Sequence, residues 1–237
     1  LRIFKPKSIQ QLFRDNIGFF VGYLIFLIAA TVFLLIINTG DAVLFFSEHR
    51  TRLLNLLFVY GTRAGEEIMY FIVIFILLFF RYRYAITVVL LGLSVTVVTF
   101  SMKALFGHDR PALFFRKLGQ LDEILAVEGV RLNQGANSFP SGHTMSAFAL
   151  FGFLAFCIPK KHAGGTIFFL IALMVGLSRI YLMQHFLKDV YLGSIIGVML
   201  AIAWYYLAHV SKSNWLDGSL LRRRNPVEAI AEAEVEG

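Results

Sequence analysis

The chain has 237 residues, of which 58% are hydrophobic and 16% charged, with a mean hydropathy of +0.72, a balance that excludes an ordinary soluble domain. Its formal charge of +7 is carried by Lys and Arg at the ends of apolar blocks, where they meet lipid headgroups, so nucleic acid is not the expected partner. The single cysteine, Cys157, can form no intrachain disulfide and reads as a small buried apolar residue.

Long apolar blocks separated by short charged stretches point to an all-α polytopic membrane bundle rather than to a barrel. The first block, residues 17–37, has the length of a crossing. It is too long for a signal peptide and lacks a small-residue cleavage motif, so it is expected to be retained. Residues 38–63 mix charge with short apolar pieces such as 53–60, which are expected to lie along the interface rather than to cross. Residues 68–80 alone rise only about 20 Å, so the second crossing is expected to start near Ala64 and to carry Glu66 and Glu67 inward. Residues 84–102, 143–158, 166–182 and 190–210 complete six expected crossings, with basic or Gly/Pro stops at 81–83, 159–161 and 164–165. The tail beyond Lys212 carries an arginine run at 222–224 and is expected to be a solvated cytoplasmic terminus. One domain over 1–237 is expected.

Six crossings place both termini and the basic loops at 81–83 and 160–161 on one side, which the positive-inside rule assigns to the cytoplasm. The connection between crossings three and four and the turn between five and six then share the opposite face. That face holds three polar patches. At the end of crossing three stand Lys103 and, seven residues on, Arg110-Pro111; two cations seven apart point the same way if the helix continues past Gly107. Before crossing four stands Pro140-Ser141-Gly142-His143, where glycine admits close approach and the helix start offers free N–H groups to an anion. Around the last turn stand Ser178-Arg179, His185 and Asp189. An i, i+4 pair lets Asp189 accept from one ring nitrogen of His185 and leave the other as a nucleophilic lone pair. Because Arg179 lies six positions before His185, a bend between the last two crossings is expected.

On these residues the chain resembles the type 2 phosphatidic acid phosphatase superfamily, which also contains soluble acid phosphatases and vanadium haloperoxidases. All three family motifs are present without departure: Lys-x6-Arg-Pro, Pro-Ser-Gly-His and Ser-Arg-x5-His-x3-Asp. The resemblance covers about residues 87–210. It implies that His185 attacks phosphorus, Asp189 orients it, His143 protonates the leaving oxygen, and Lys103, Arg110, Ser141, Gly142 and Arg179 hold the phosphoryl oxygens. Such a cationic cage can stabilise the charge that Mg²⁺ offsets elsewhere, so no metal or other cofactor is expected. Opposite protonation states for the two histidines imply a bell-shaped pH profile.

The expected function is therefore hydrolysis of a lipid phosphomonoester or diphosphate through a phosphohistidine, in a bacterial inner membrane and at its outer face. The resemblance offers phosphatidate, phosphatidylglycerophosphate, polyprenyl diphosphate or a phosphorylated lipid A without choosing among them. Phosphotransfer to another hydroxyl uses the same intermediate, and a transporter with a His/Arg/Asp relay is the reading from another class. Glu66 and Glu67 read either as ion-pair partners of Arg63 or a neighbouring helix, or as contacts to a substrate headgroup or a catalytic cation. His108 and Asp109 read as solvated loop residues rather than, with His143, as a metal site, since no dense ligand cluster with a zinc or di-metal spacing accompanies them. Residues 112–137 form a long connection whose 121–127 portion is expected to be a short amphipathic helix roofing the site.

Overall fold

The computed structural model describes residues 7–157, 162–211 and 213–221, without the side chains of Glu123 and His162. The expected stop at 159–161 and the arginine run at 222–224 lie outside the described residues. Among the described residues every regular element is helical: α1 (Ile9–Asp15), α2 (Ile17–Ile36), α3 (Asp41–Glu48), α4 (Arg52–Gly61), α5 (Glu67–Phe80), α6 (Tyr82–Leu105), α7 (Pro111–Lys117), α8 (Gly142–Cys157), α9 (His162–Tyr181) and α10 (Leu187–Leu207). Short 3₁₀ turns stand at Thr62–Gly65, Leu121–Glu123 and Asn214–Asp217.

Local chemistry sets several of these boundaries. Ser8 and Gln11 form a reciprocal capping box at the start of α1, and Thr51 accepts from Leu54 N at 3.2 Å to start α4, each satisfying backbone donors that the helix leaves free. Pro111 occupies the first turn of α7, where a missing N–H costs nothing. Gly40, before α3, has φ +108°, a left-handed conformation that favours glycine.

The core is built around α8, which is buried along nearly its whole length. α10 lies against it closely enough that a Cβ on Gly193 would sit 2.7 Å from Ser141 O, and one on Gly197 2.6 Å from Met145 O. Two glycines four apart thus present one bare helix face to α8, the small-residue contact that lets membrane helices gain dispersion energy. On the other side α2 contributes Phe19 and Phe20, whose rings pack edge-to-face or stacked against Phe156 and Phe169, and Tyr23, tilted against Phe148. Large apolar side chains meanwhile point outward: Ile25, Ile28 and Leu35 on α2, Phe71 and Phe75 on α5, Val97 and Phe100 on α6. An outer surface of this kind requires an apolar solvent, and the chain is an integral membrane protein.

Among the described residues four helices, α2, α6, α9 and α10, have the length and apolarity to cross a bilayer, not the six expected. α5 has 14 residues and α8 has 16, which give rises of about 21 and 24 Å against a hydrocarbon core of about 30 Å. α5 does not start near residue 64, because Thr62–Gly65 is a separate 3₁₀ turn and Glu66 is extended at φ −86°, ψ 163°. The region expected to lie along the interface holds two helices, α3 and α4. α4 is anchored to α9 by Phe58 against Tyr181, with ring centroids 4.5 Å apart. At the end of the bundle opposite α8's first turn, Arg83 ties the chain after α10 to the start of α6. It donates to Ala208 O at 2.7 Å and to Asp217 Oδ1 and Oδ2 at 3.0 Å each.

Candidate active site

The last turns of α6 and α9 and the first turns of α8 and α10 meet at one end of the bundle, roofed by residues 106–141. The chain leaves α9 through a tight reversal in which Gln184 N and His185 N both donate to Arg179 O, at 2.9 and 3.0 Å. Met183 takes φ +56° to allow it, at a cost of about 1–2 kcal/mol for a non-glycine residue. The expected bend is this reversal, and it turns His185 back over Arg179. His185 and Asp189 do not stack on a helix face, as their spacing suggested. His185 precedes the N-cap of α10 and Asp189 occupies the third helical position, where Oδ2 accepts from Phe186 N at 2.9 Å.

That capping carboxylate is also the anchor of the histidine. His185 is 2% exposed, and its Nδ1 lies 3.3 Å from Asp189 Oδ2 and 3.3 Å from Ser138 Oγ. Ser138 donates to the same Oδ2 through a short hydrogen bond. With Nδ1 carrying the proton toward Asp189, the lone pair of His185 resides on Nε2. Burial pushes the His185 imidazole down to about 4, with the Asp189 carboxylate opposing the shift.

Three cations surround this pair. α6 ends at Leu105 and Phe106 is extended, so Lys103 and Arg110 do not share a continuous helix face. Arg110 is brought in by pairing of the loop with residues 135–138: Arg110 N donates to Gly135 O at 3.0 Å and Ser138 N to His108 O at 2.9 Å. The residue is 6% exposed, and its guanidinium donates to Asn137 Oδ1 at 2.8 Å and to Gln184 O at 3.2 Å. Burial lowers its pKa, and the charge of Asp189 acts in the opposite sense. Arg179 is 8% exposed and donates from Nη1 to Thr62 Oγ1 at 2.8 Å, while its Nε is buried with no partner. Lys103 is half-buried, within electrostatic reach of Arg110, Arg179 and Asp189.

His143 stands in the first turn of α8. Ser141 N donates to Asp189 O at 3.0 Å, which ties this turn to the start of α10, and Thr144 donates to Ser141 Oγ at 2.8 Å. A Cβ on Gly142 would sit 3.0 Å from Thr99 Cγ2, so the α8 backbone presses against α6. The charges of Arg179, Lys103 and Arg110 and the ring of His185 all act on His143. Lys103, Arg110, Ser141, Gly142, His143, Arg179, His185 and Asp189 are therefore gathered at one end of the bundle. Glu66, half-buried at the N-cap of α5, acts on Arg179, whereas Glu67 is exposed. Among the described residues no three His, Cys, Asp or Glu side chains gather to hold a metal ion.

Residues 81–213 match the profile of the PAP2 superfamily, more than half of the chain. The chain belongs to the PAP2 superfamily. Among superfamily members, it is 32% identical over 126 residues to the probable lipid phosphate phosphatase 4 of Arabidopsis thaliana, covering 44% of this chain and 41% of that protein. It is 35% identical over 108 residues to phosphatidylglycerophosphatase B of Bacillus subtilis strain 168, covering 42% and 52%. The chain thus spans about half or less of the length of these relatives. The crystal structure of Aquifex aeolicus LpxE superposes with a TM-score of 0.59 at 26% identity, covering 70% of this chain and 93% of that one.

The superfamily motifs do not mark four residues that the structure places here: Thr62, Asn137, Ser138 and Gln184. Ser138 and Asn137 carried a faint signal as polar residues just before Pro140-Ser141-Gly142-His143. Thr62, 117 positions from Arg179, carried none. His108 and Asp109 are not simply solvated loop residues. The His108 ring packs on Phe139 with centroids 5.1 Å apart and its Nδ1 is buried, while Asp109 pairs with Lys117 at 2.6 Å. Within residues 112–137 the helix is α7, ahead of the 121–127 portion, which holds only one 3₁₀ turn at its start.

Proposed function

We propose that this chain removes phosphate from a membrane lipid through a phosphohistidine, at a site on the outer face of a bacterial inner membrane. The observation that carries the reading is the Ser138–Asp189–His185 arrangement, which orients one imidazole nitrogen among three cations. In the first step the Nε2 lone pair of His185 forms a bond to phosphorus as the bond to the lipid oxygen breaks, and that oxygen takes a proton from His143. In the second, His143 accepts a proton from water as it attacks phosphorus, the N–P bond breaks, and phosphate leaves. Lys103, Arg110, Arg179, the Ser141 hydroxyl and the backbone N–H of Gly142 hold the equatorial oxygens, where negative charge accumulates. A lipid substrate is supported by the apolar surroundings and by the names of both relatives.

The test is phosphate release from a panel of lipid phosphates in nanodiscs. Wild type is expected to release phosphate in a vanadate-sensitive, chelator-insensitive reaction that His185→Ala abolishes. Release that survives His185→Ala, or that a chelator removes, overturns the reading. Transfer of the phosphoryl group to an added lipid or sugar hydroxyl distinguishes phosphotransfer from hydrolysis.

A further inference from the structure

We propose that Thr62, in the turn between α4 and α5, is a positioning residue for Arg179: its hydroxyl oxygen anchors one end of the guanidinium so that the buried Nε faces the phosphoryl group. The inference rests on the phosphatase reading of the site. Thr62 lies outside residues 81–213, the region that matches the superfamily, and outside all three motifs.

The geometry is specific. Thr62 is 7% exposed and Arg179 8% exposed, so the 2.8 Å bond between Nη1 and Oγ1 is shielded from water. A charge-assisted hydrogen bond in such a place is stronger than one in water, and its loss leaves a buried donor unmet. The turn that carries Thr62 is wedged into the bundle. A Cβ on Gly65 would sit 2.8 Å from His143 O and 2.6 Å from Val175 Cγ1, so only glycine lets the turn approach this closely. The same short segment therefore touches the backbone of His143 and the side chain of Arg179. It ends at Glu66, whose charge acts on Arg179 in the sense opposite to that of Arg110. An arginine with freedom about its side-chain torsions is thus held at one end by a neutral acceptor and balanced by a nearby carboxylate, leaving Nε without a protein partner. Holding the fork in advance lowers the reorganisation needed as the transition state forms, a benefit that appears in kcat more than in KM.

The experiment uses the full chain in nanodiscs with Thr62→Val, Thr62→Ser and Glu66→Gln. Two quantities are read: orthovanadate affinity by titration calorimetry, and kcat and KM on a lipid phosphate that wild type hydrolyses. Thr62→Val keeps the shape and removes the acceptor. It is expected to weaken vanadate binding and lower kcat by roughly tenfold each, with KM within about twofold. Thr62→Ser restores both, and Glu66→Gln shifts both in the same direction by about threefold. Should Thr62→Val fail to fold, Thr62→Ala carries the same comparison with Thr62→Ser. Wild-type vanadate affinity and kcat in Thr62→Val, or a Thr62→Ser variant as impaired as Thr62→Val, overturns the proposal. Vanadate binding is read without turnover, so a failure to release phosphate from any lipid counts against the phosphatase reading and leaves the Thr62 comparison legible. Release that Thr62→Val leaves intact counts against the positioning role alone.

Discussion

Asp189 Oδ2 takes three donors at once: Ser138 Oγ, Phe186 N and the Nδ1 side of His185. One atom thus caps α10 and sets the tautomer of the histidine. Removing Ser138 takes away one donor and frees the carboxylate to rotate, and Ser138→Ala is expected to lower kcat by about three- to tenfold with little change in KM; a proportional rise in KM would assign Ser138 to substrate binding. The pH dependence follows from burial. Because the His185 pKa is lowered to about 4, the ring is neutral above that value and gains a proton only below it. The acid limb of kcat/KM, which reports the free enzyme, is expected near pH 4 and not near the ordinary histidine value of about 6.5. A limb at the ordinary value would mean that His185 is not the titrating nucleophile. At this scale the sequence is legible where chemistry repeats at fixed spacing, as with His185 and Asp189. It is faint on Ser138, which only its place just before Pro140 marks, and silent on Thr62, because a lone hydroxyl carries no periodic signal and its partner lies on a distant element.

At the scale of elements, the site depends on how closely α10 approaches α8. Gly197→Ala places a Cβ 2.6 Å from Met145 O and 2.9 Å from Phe148 Cβ, so the helices must separate, an overpacking cost of about 1–3 kcal/mol. Separation also pulls Ser141 N from Asp189 O. The expected result is a lower melting temperature together with lost phosphate release, whereas Gly107→Ala, where an added Cβ meets nothing closer than 3.9 Å, leaves the melting temperature unchanged. At the other end of the bundle, hydrogen bonds from Arg83 hold the Asp217 carboxyl below the usual carboxylate range. A depressed folded pKa contributes stability that is complete above the unfolded value and is lost as pH falls through the folded one. Asp217→Asn is therefore expected to lower the melting temperature at neutral pH by a few degrees, for a contribution of about 1 kcal/mol. The difference should begin to close below about pH 4 and be gone once the pH has passed the depressed folded value; a difference that persists there would show that the amide disturbs packing rather than removing an ion pair. Apolar block length anticipated α2, α6, α9 and α10 within a few residues. It failed for α5 because hydropathy does not register the 3₁₀ turn at Thr62–Gly65 or the extended cap at Glu66, and the seven-residue spacing of Lys103 and Arg110 misled because the helix stops before Gly107.

For the whole molecule, the outer-face assignment is a statement about which end of the bundle carries the site. Lys103 and Arg83 lie at opposite ends of α6, about 30 Å apart at helical pitch. Counting basic residues does not decide between the ends, because many cations at the site end are committed: Arg110 and Arg179 to the site, Arg50 to Tyr181 O, Lys117 to Asp109. Such residues answer to local partners as well as to the positive-inside bias. Two exposed positions can report the orientation directly: Glu128, in the roof over the site, and Asn214, in the 3₁₀ turn beside Asp217. With Cys157→Ser removing the native thiol, Glu128→Cys is expected to react with a membrane-impermeant maleimide in intact cells, and Asn214→Cys only after permeabilisation. The opposite pattern would place the cationic cage in the cytoplasm, restricting the substrate to lipid phosphates of the inner leaflet, and would require the outer-face assignment to be withdrawn while leaving the chemistry of His143 and His185 unaltered.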